Sequence, residues 1–300
     1  LIKSSYGFIH TDSCPIFALS EAVIGETTCD GKKKMFELIS HLKPTHVMDL
    51  PNLPEGRGVG DQWLKTVEKL KEFLETTFQR IITAARLEEE IRETNRKSSL
   101  IDGFFDCLTR HPPPVHWEEI YDVIALDPVS TGEELATLMA GVAARLEERI
   151  AAGICFGTPS SPRVLVTGCP IGGDALKVLK IVEEAGGVVV ALEACSGMKG
   201  YSLRVEEGTD DPLRAVAAAT LKIPCSCMSP NQGRLDMLDG MIARFKPDVV
   251  IDVILHACHG YNVESFKIRK HIQERHGLPF LKIETDYSAG DVEQIRTRVE

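Results

Sequence analysis

The chain has 300 residues with 43% apolar content, enough to bury substantial cores, and its length favours about two domains. Thirty-four basic residues against 44 acidic ones leave a net charge of −10, which argues against a nucleic acid as the main partner, since such binding rests on neutralising phosphates. No apolar run approaches the roughly 20 residues of a membrane-spanning helix, and no signal peptide is visible. The chain opens on Leu1 rather than Met and stops at Glu300 inside a helical pattern, so material is expected to be missing at both ends.

In chain order, residues 21–25 read as a short buried strand, followed by a helix over about 31–42 with Asp30 as its N-cap. Residues 45–52 form the next strand, stopped by Pro51 and Pro54, and this β-α-β unit implies a parallel sheet. From Asp61 to about Arg96 the pattern is long, charged and helical. Trp63, Val67, Leu70, Phe73, Leu74, Phe78, Ile81 and Ile82 recur at spacings of three and four as one buried stripe. After the breakers His111-Pro112-Pro113-Pro114, helices follow over about 117–126 and 133–152. The loop-like stretch 153–163 marks a boundary between an N-terminal domain, 1–155, and a C-terminal domain, 156–300. The second half then alternates: strand 163–168, helix 173–185, strand 188–193, helix 211–221, helix 231–245, strand 248–255, helix 262–276, strand 279–284 and a helix from about Asp291. The expected fold is α/β, with two Rossmann-like (flavodoxin-like) parallel-sheet domains and a helical segment between them.

Cysteines stand where strands give way to helices. Cys29, Cys169, Cys195 and Cys258 each follow a predicted strand closely, and Cys14 precedes a short helix-like run. Ligands of open α/β sheets bind beyond the carboxyl ends of the strands, so thiols gathered there suggest a soft-metal cofactor. Buried structural cysteines would rather occupy element interiors. An odd total of nine, scattered through a long Lys/Glu-rich chain, fits a reducing cytoplasm better than a disulfide framework. Zinc pairs of the C-x₂₋₄-C type are absent, Cys225-Ser-Cys227 being too tight. Thiolate ligation from distant loops suits an iron–sulfur cluster.

Cys225 and Cys227 follow Pro224 in a loop, and one or both are candidate ligands; Cys107 and Cys155 read as bystanders. The glycines around Cys169 match neither the dinucleotide fingerprint nor the P-loop. Glu26, three residues before Cys29, and His259, beside Cys258, are candidate acid/base groups; each also has an ordinary reading as a hydrogen-bonding residue, as does His256. Lys32-Lys33-Lys34 reads as a solvated helix face or part of a docking surface.

The segments KSSYGF, TDSCP, GETTCDGKKKMFE, VMDLPN, TGCPIGGDALKV, CSCMSPN, DVILHACHGYNVES and IETDYSAGDVEQIRTRVE together resemble the 2-hydroxyacyl-CoA dehydratase / benzoyl-CoA reductase superfamily. Within it they are most similar to the branch of double-cubane-cluster anaerobic reductases. The resemblance implies a cluster buried between two α/β domains, homodimeric assembly, and electrons delivered by a separate ATP-hydrolysing iron–sulfur activator protein. It further implies that Cys29 and Cys258 match two of the three cysteines that hold a single [4Fe-4S] cluster in dehydratase subunits, the third falling upstream of Leu1. The additional thiols Cys14, Cys169, Cys195 and Cys225/Cys227 favour a double-cubane [8Fe-9S] cluster and reduction of a small substrate. A dehydratase subunit acting on an acyl-CoA with one cubane is the alternative, and a non-catalytic iron–sulfur electron carrier is a third reading.

Overall fold

The computed structural model describes residues 2–300, an α/β protein with two parallel sheets among many helices. In chain order its elements are α1 (Ile2–His10), α2 (Pro15–Leu19), β1 (Val23–Glu26), α3 (Asp30–Ile39), β2 (Thr45–Met48), α4 (Val59–Phe78), α5 (Ala84–Phe104), α6 (Trp117–Leu126), α7 (Gly132–Ala151), β3 (Arg163–Gly168), α8 (Lys177–Glu184), β4 (Val188–Glu193), α9 (Pro212–Leu221), α10 (Gln232–Phe245), β5 (Val249–Leu255), α11 (His259–His271), β6 (Phe280–Thr285) and α12 (Val292–Val299). Among the described residues, no helix is long and apolar enough to cross a membrane.

The chain forms two compact units, Leu1–Ile91 with Val205–Asn231, and Arg92–Arg204 with Gln232–Glu300. This differs from a division near residue 155. The reason is packing: Ile101, Phe105, Leu108, Ile120 and Leu135, from the helical stretch expected to extend the first domain, are buried in one core with Leu165, Val190 and Val250 of the second sheet. Conversely, α9 packs on α4, where Trp63 Nε1 donates to Thr220 Oγ1 at 3.0 Å.

The first unit has the parallel pair β1–β2, in register from Val23 opposite Thr45 to Glu26 opposite Met48. The ring of Phe36, on α3, lies where a side chain on Gly25 would stand, so α3 packs flush on β1. The long helix expected over 61–96 is broken after Phe78. Gln79 turns left-handed at φ 52°, and Thr83 Oγ1 accepts from Arg86 N (3.2 Å) to start α5. A run of β-branched Ile81, Ile82 and Thr83 lacks the propensity to carry the helix through. The expected stripe therefore ends early: Trp63 and Val67 are buried, whereas Phe78 and Ile81 are exposed.

The second unit carries a four-stranded, wholly parallel sheet in the order β4-β3-β5-β6. Helices cover both faces, so its strands read as continuous apolar runs rather than alternating ones. Successive residues serve opposite cores: Val164 and Val166 face one cluster with Ala175, Val178 and Ile295, while Leu165 faces the other with Phe105 and Leu238.

Candidate functional site

The second unit places three thiols on neighbouring loops at the carboxyl edge of its sheet. Cys169 follows β3, Cys195 follows β4 and Cys258 follows β5. The chain runs from β3 outward to β4, then returns to lay β5 on the other side of β3. The topological switch therefore lies between β3 and β5, where such sheets bind ligands, and Cys169 and Cys258 flank it. They meet in a hydrogen bond, and the amide of Leu255 donates to Cys169 Sγ at 3.3 Å.

Gly168 makes this approach feasible. At φ +124°, a Cβ there would stand 2.1 Å from the Val253 carbonyl and 2.9 Å from Asp252 Oδ1. Gly168→Ala is expected to push β3 off β5, costing about 1–3 kcal/mol and weakening any ligand shared by Cys169 and Cys258. Equilibrium urea unfolding checks the first effect; an unchanged midpoint would contradict it.

Cys169 is 1% exposed. Its hydrogen bond with Cys258, and then its burial, push the thiol's pKa far up. A thiol in that state keeps its proton unless a cation replaces it, which is what thiolate–metal bonding does. Tyr287 stands close enough for the charge of a Cys169 thiolate to add to the burial that raises its phenol. Ser196 clamps two of the loops, accepting from Ile171 N at 3.0 Å and donating to Ile171 O at 2.6 Å. Cys195 is exposed, with Sγ 3.9 Å from Tyr261 Oη.

Beneath these loops lies a buried charge network that sequence reasoning missed. Glu193, the last residue of β4, is 0% exposed; Lys199 and Arg234 are each 1% exposed. Glu193 Oε1 is 2.6 Å from Lys199 Nζ, and Arg234 Nη2 donates to Oε2 at 3.1 Å. Thr167 also donates to Glu193, and Arg234 Nη1 pairs with Glu264 at 2.5 Å. Burial raises the Glu193 pKa, but Arg234 and Lys199 outweigh it and hold the carboxyl below its ordinary value. The network reaches the thiols through Tyr261: Lys199 Nζ donates to its hydroxyl at 3.4 Å, and the Arg234 guanidinium lies 4.7 Å from its ring centre. Asp252 is buried beside this group, and burial lifts its pKa to about 6 against the opposing pull of Ser265 and Arg234.

In the first unit, Cys29 rather than Asp30 is the N-cap of α3, and its Sγ accepts from Lys32 N at 3.4 Å. Cys14 caps α2 in the same way, accepting from Phe17 N at 3.4 Å. Cys225 and Cys227 hydrogen-bond to each other, which with burial raises the Cys227 thiol, and the charge of Glu26 adds to it. The loop after α9 therefore lies near the β1–α3 loop. It is anchored by Asn231 Nδ2 on Cys225 O (3.0 Å) and Ser229 N on Asn52 O (2.8 Å).

Glu26 is ion-paired with Lys32, so that lysine, on the first turn of α3, turns back toward the end of β1 rather than standing free in solvent; Lys33 pairs loosely with Asp30 at 3.7 Å. His259 is exposed on the first turn of α11, and His256 is exposed 3.2 Å from Glu284. Cys107 is buried among apolar side chains, its pKa pushed up to about 12 by desolvation, and Cys155 is exposed in the loop after α7. Among the described residues, the one trio of potential ligand atoms within 4.8 Å of one another is Asp239, His271 and His276, not a set of thiols. A cubane spreads its ligand sulfurs farther apart than a single ion does, so thiols on separate loops, with amides directed at them, are suited to one.

Parallel α/β units with cysteines on the loops beyond their strand ends define a class of thiol-lined sheet proteins. The chain belongs to the family described as 2-hydroxyglutaryl-CoA dehydratase, D-component, whose family model matches residues 1–300. It is similar to the putative dehydratase subunit YjiM of Escherichia coli (strain K12), with 42% identity over 304 residues covering 100% of this chain and 78% of the relative. It is also similar to a benzoyl-CoA reductase subunit of Thauera aromatica, with 22% identity over 297 residues, 93% of this chain and 68% of that one. The chain thus lies in the superfamily that its motifs resemble, one of dehydratases and reductases.

Proposed function

We propose that this chain is the cluster-bearing subunit of an oxygen-sensitive, cytoplasmic iron–sulfur reductase. It assembles as a homodimer and receives low-potential electrons from a separate ATP-hydrolysing activator protein. The observation that carries the reading is the number of thiols beyond the two that a one-cubane subunit would use here. Cys169 paired with Cys258 at the switch point, Cys195 beside Tyr261, the Cys225/Cys227 pair and the helix-capping Cys14 would have no role in such a subunit. In this reading Cys14, Cys29, Cys169, Cys195, Cys258 and one or both of Cys225 and Cys227 hold two linked cubanes.

The cluster would supply low-potential electrons. The chain's own residues would set its surroundings. Amides of Leu255, Lys32 and Phe17 donate to three of the sulfurs, which favours the reduced charge state at those positions. Tyr261 presents a hydroxyl at Cys195, with Lys199 behind it. Glu26, held by Lys32, and the exposed His259 are the groups available to carry protons to a substrate.

The match to a dehydratase D-component favours a second reading, a 2-hydroxyacyl-CoA dehydratase subunit holding one [4Fe-4S] cluster. Substitution separates the two. If two cubanes are present, Cys169→Ser and Cys195→Ser each lower the iron content of the full-length protein. Unchanged iron in both variants would remove these thiols from the ligand set and leave the one-cubane reading. Turnover with an activator protein and ATP, measured on small reducible compounds and on 2-hydroxyacyl-CoA thioesters, then names the reaction; activity with neither would leave an electron carrier.

A further inference from the structure

We propose that Asp239, His271 and His276 form a second metal site, separate from the thiols, which takes a divalent first-row cation of the zinc class. Nε2 of His271 and Nε2 of His276 both lie 2.6 Å from the same carboxylate oxygen, Oδ1 of Asp239 on α10. The three side chains, in the order His271, His276 and Asp239, are 14%, 19% and 19% exposed, so the group is sheltered yet reachable from solvent.

The backbone is specialised to bring the two rings together. Residues five apart on an α-helix of 3.6 residues per turn point about 140° away from each other. Here α11 widens into a π-helical turn, Ile272–His276, whose i→i+5 repeat returns His276 to the side of His271. Gly277, left-handed at φ 66°, then ends the helix. The ring centres are 5.8 Å apart. Arg275 Nε holds the other carboxylate oxygen at 3.2 Å, the kind of outer contact that fixes a ligating carboxylate.

Two imidazoles and one carboxylate make a three-ligand set that suits zinc and its first-row neighbours, with a position left for water. A cation taking the place of these hydrogen bonds would meet Nε2 of both rings and Oδ1 of Asp239 together. Thiolate soft-metal chemistry is not involved. The eighteen residues from His259 to His276 put roughly 27 Å of helix between this cluster and the Cys258 loop. A cation here would fasten the end of α11 to α10.

The test uses full-length protein isolated with its iron intact, equilibrated with Zn(II) alone and analysed for both metals. Wild type is expected to hold about one more zinc per chain than His271→Ala/His276→Ala, with equal iron, and the X-ray absorption of that ion shows nitrogen and oxygen neighbours without sulfur. Asp239→Asn, a milder change, should weaken zinc binding by at least the roughly 10-fold that loss of an outer-shell partner causes. Equal zinc content in wild type and variants overturns the proposal, as does sulfur ligation of the extra zinc. If the double variant fails to fold, the absorption spectrum of wild type and the Asp239→Asn affinity still decide.

Discussion

Replacing Glu193 with Ala should destabilise the second unit by about 3–5 kcal/mol, because it takes the buried Lys199 away from its carboxylate and leaves Arg234 paired through Glu264 on one side alone. Both cations are 1% exposed, so water cannot take over the role of the carboxylate. Urea unfolding can be followed through Trp117, which packs in a core of that unit, in a Trp63→Phe background that silences the other tryptophan. Replacing Glu193, Lys199 and Arg234 together by apolar residues of similar size should recover much of the loss, since the cost arises from breaking a pair rather than from lacking one. A loss below about 1 kcal/mol for Glu193→Ala would mean that the pair is solvated like a surface one. The pH dependence has a definite sign. The folded pKa of Glu193 is depressed, so its contribution is present above the ordinary carboxylate range and is lost as pH falls through the lower, folded value. Glu193→Gln should accordingly flatten the acid limb of stability.

The largest functional effect is expected at Cys29 and Cys258. Cys29→Ser and Cys258→Ser should each abolish turnover and strip iron from the protein, since serine offers a harder, poorly ionised donor where a thiolate is needed. Cys155→Ser and Cys107→Ala are the matched controls. Cys155 is exposed in a loop and Cys107 sits in an apolar core, so iron content should remain at the wild-type level in both. Anaerobic isolation with iron analysis and activity on the same samples checks both halves. Iron retained in Cys258→Ser, or lost in Cys155→Ser, would contradict the assignment.

Much of this was legible in the sequence because it is local. Apolar runs bounded by glycine and proline marked β3 and β4 at 163–168 and 188–193 as they stand, and α6 at 117–126. The placement of Cys169, Cys195 and Cys258 just after strands was legible because strand ends can be read. What was not legible depends on distant partners or on single backbone turns. Glu193 and Arg234 are 41 residues apart and Lys199 looks like any surface lysine; only the fold cancels their charges. Ser196 and Tyr261 acquire roles from the loops they meet, which no local pattern encodes. The limits of the compact units were hidden because the helices over 92–151 bury their apolar faces on the second sheet, a long-range choice of partner. A spacing of five between His271 and His276 carries no signal on an α-helix, and the π turn that gives it meaning cannot be seen in composition.

The most direct test of the double cluster is the iron and acid-labile sulfide content of the full-length protein, purified and assayed without oxygen. Two linked cubanes predict about eight irons per chain, with sulfide in near-equal amount. About four irons would contradict the double cluster and leave the dehydratase reading, and iron-free protein would contradict both.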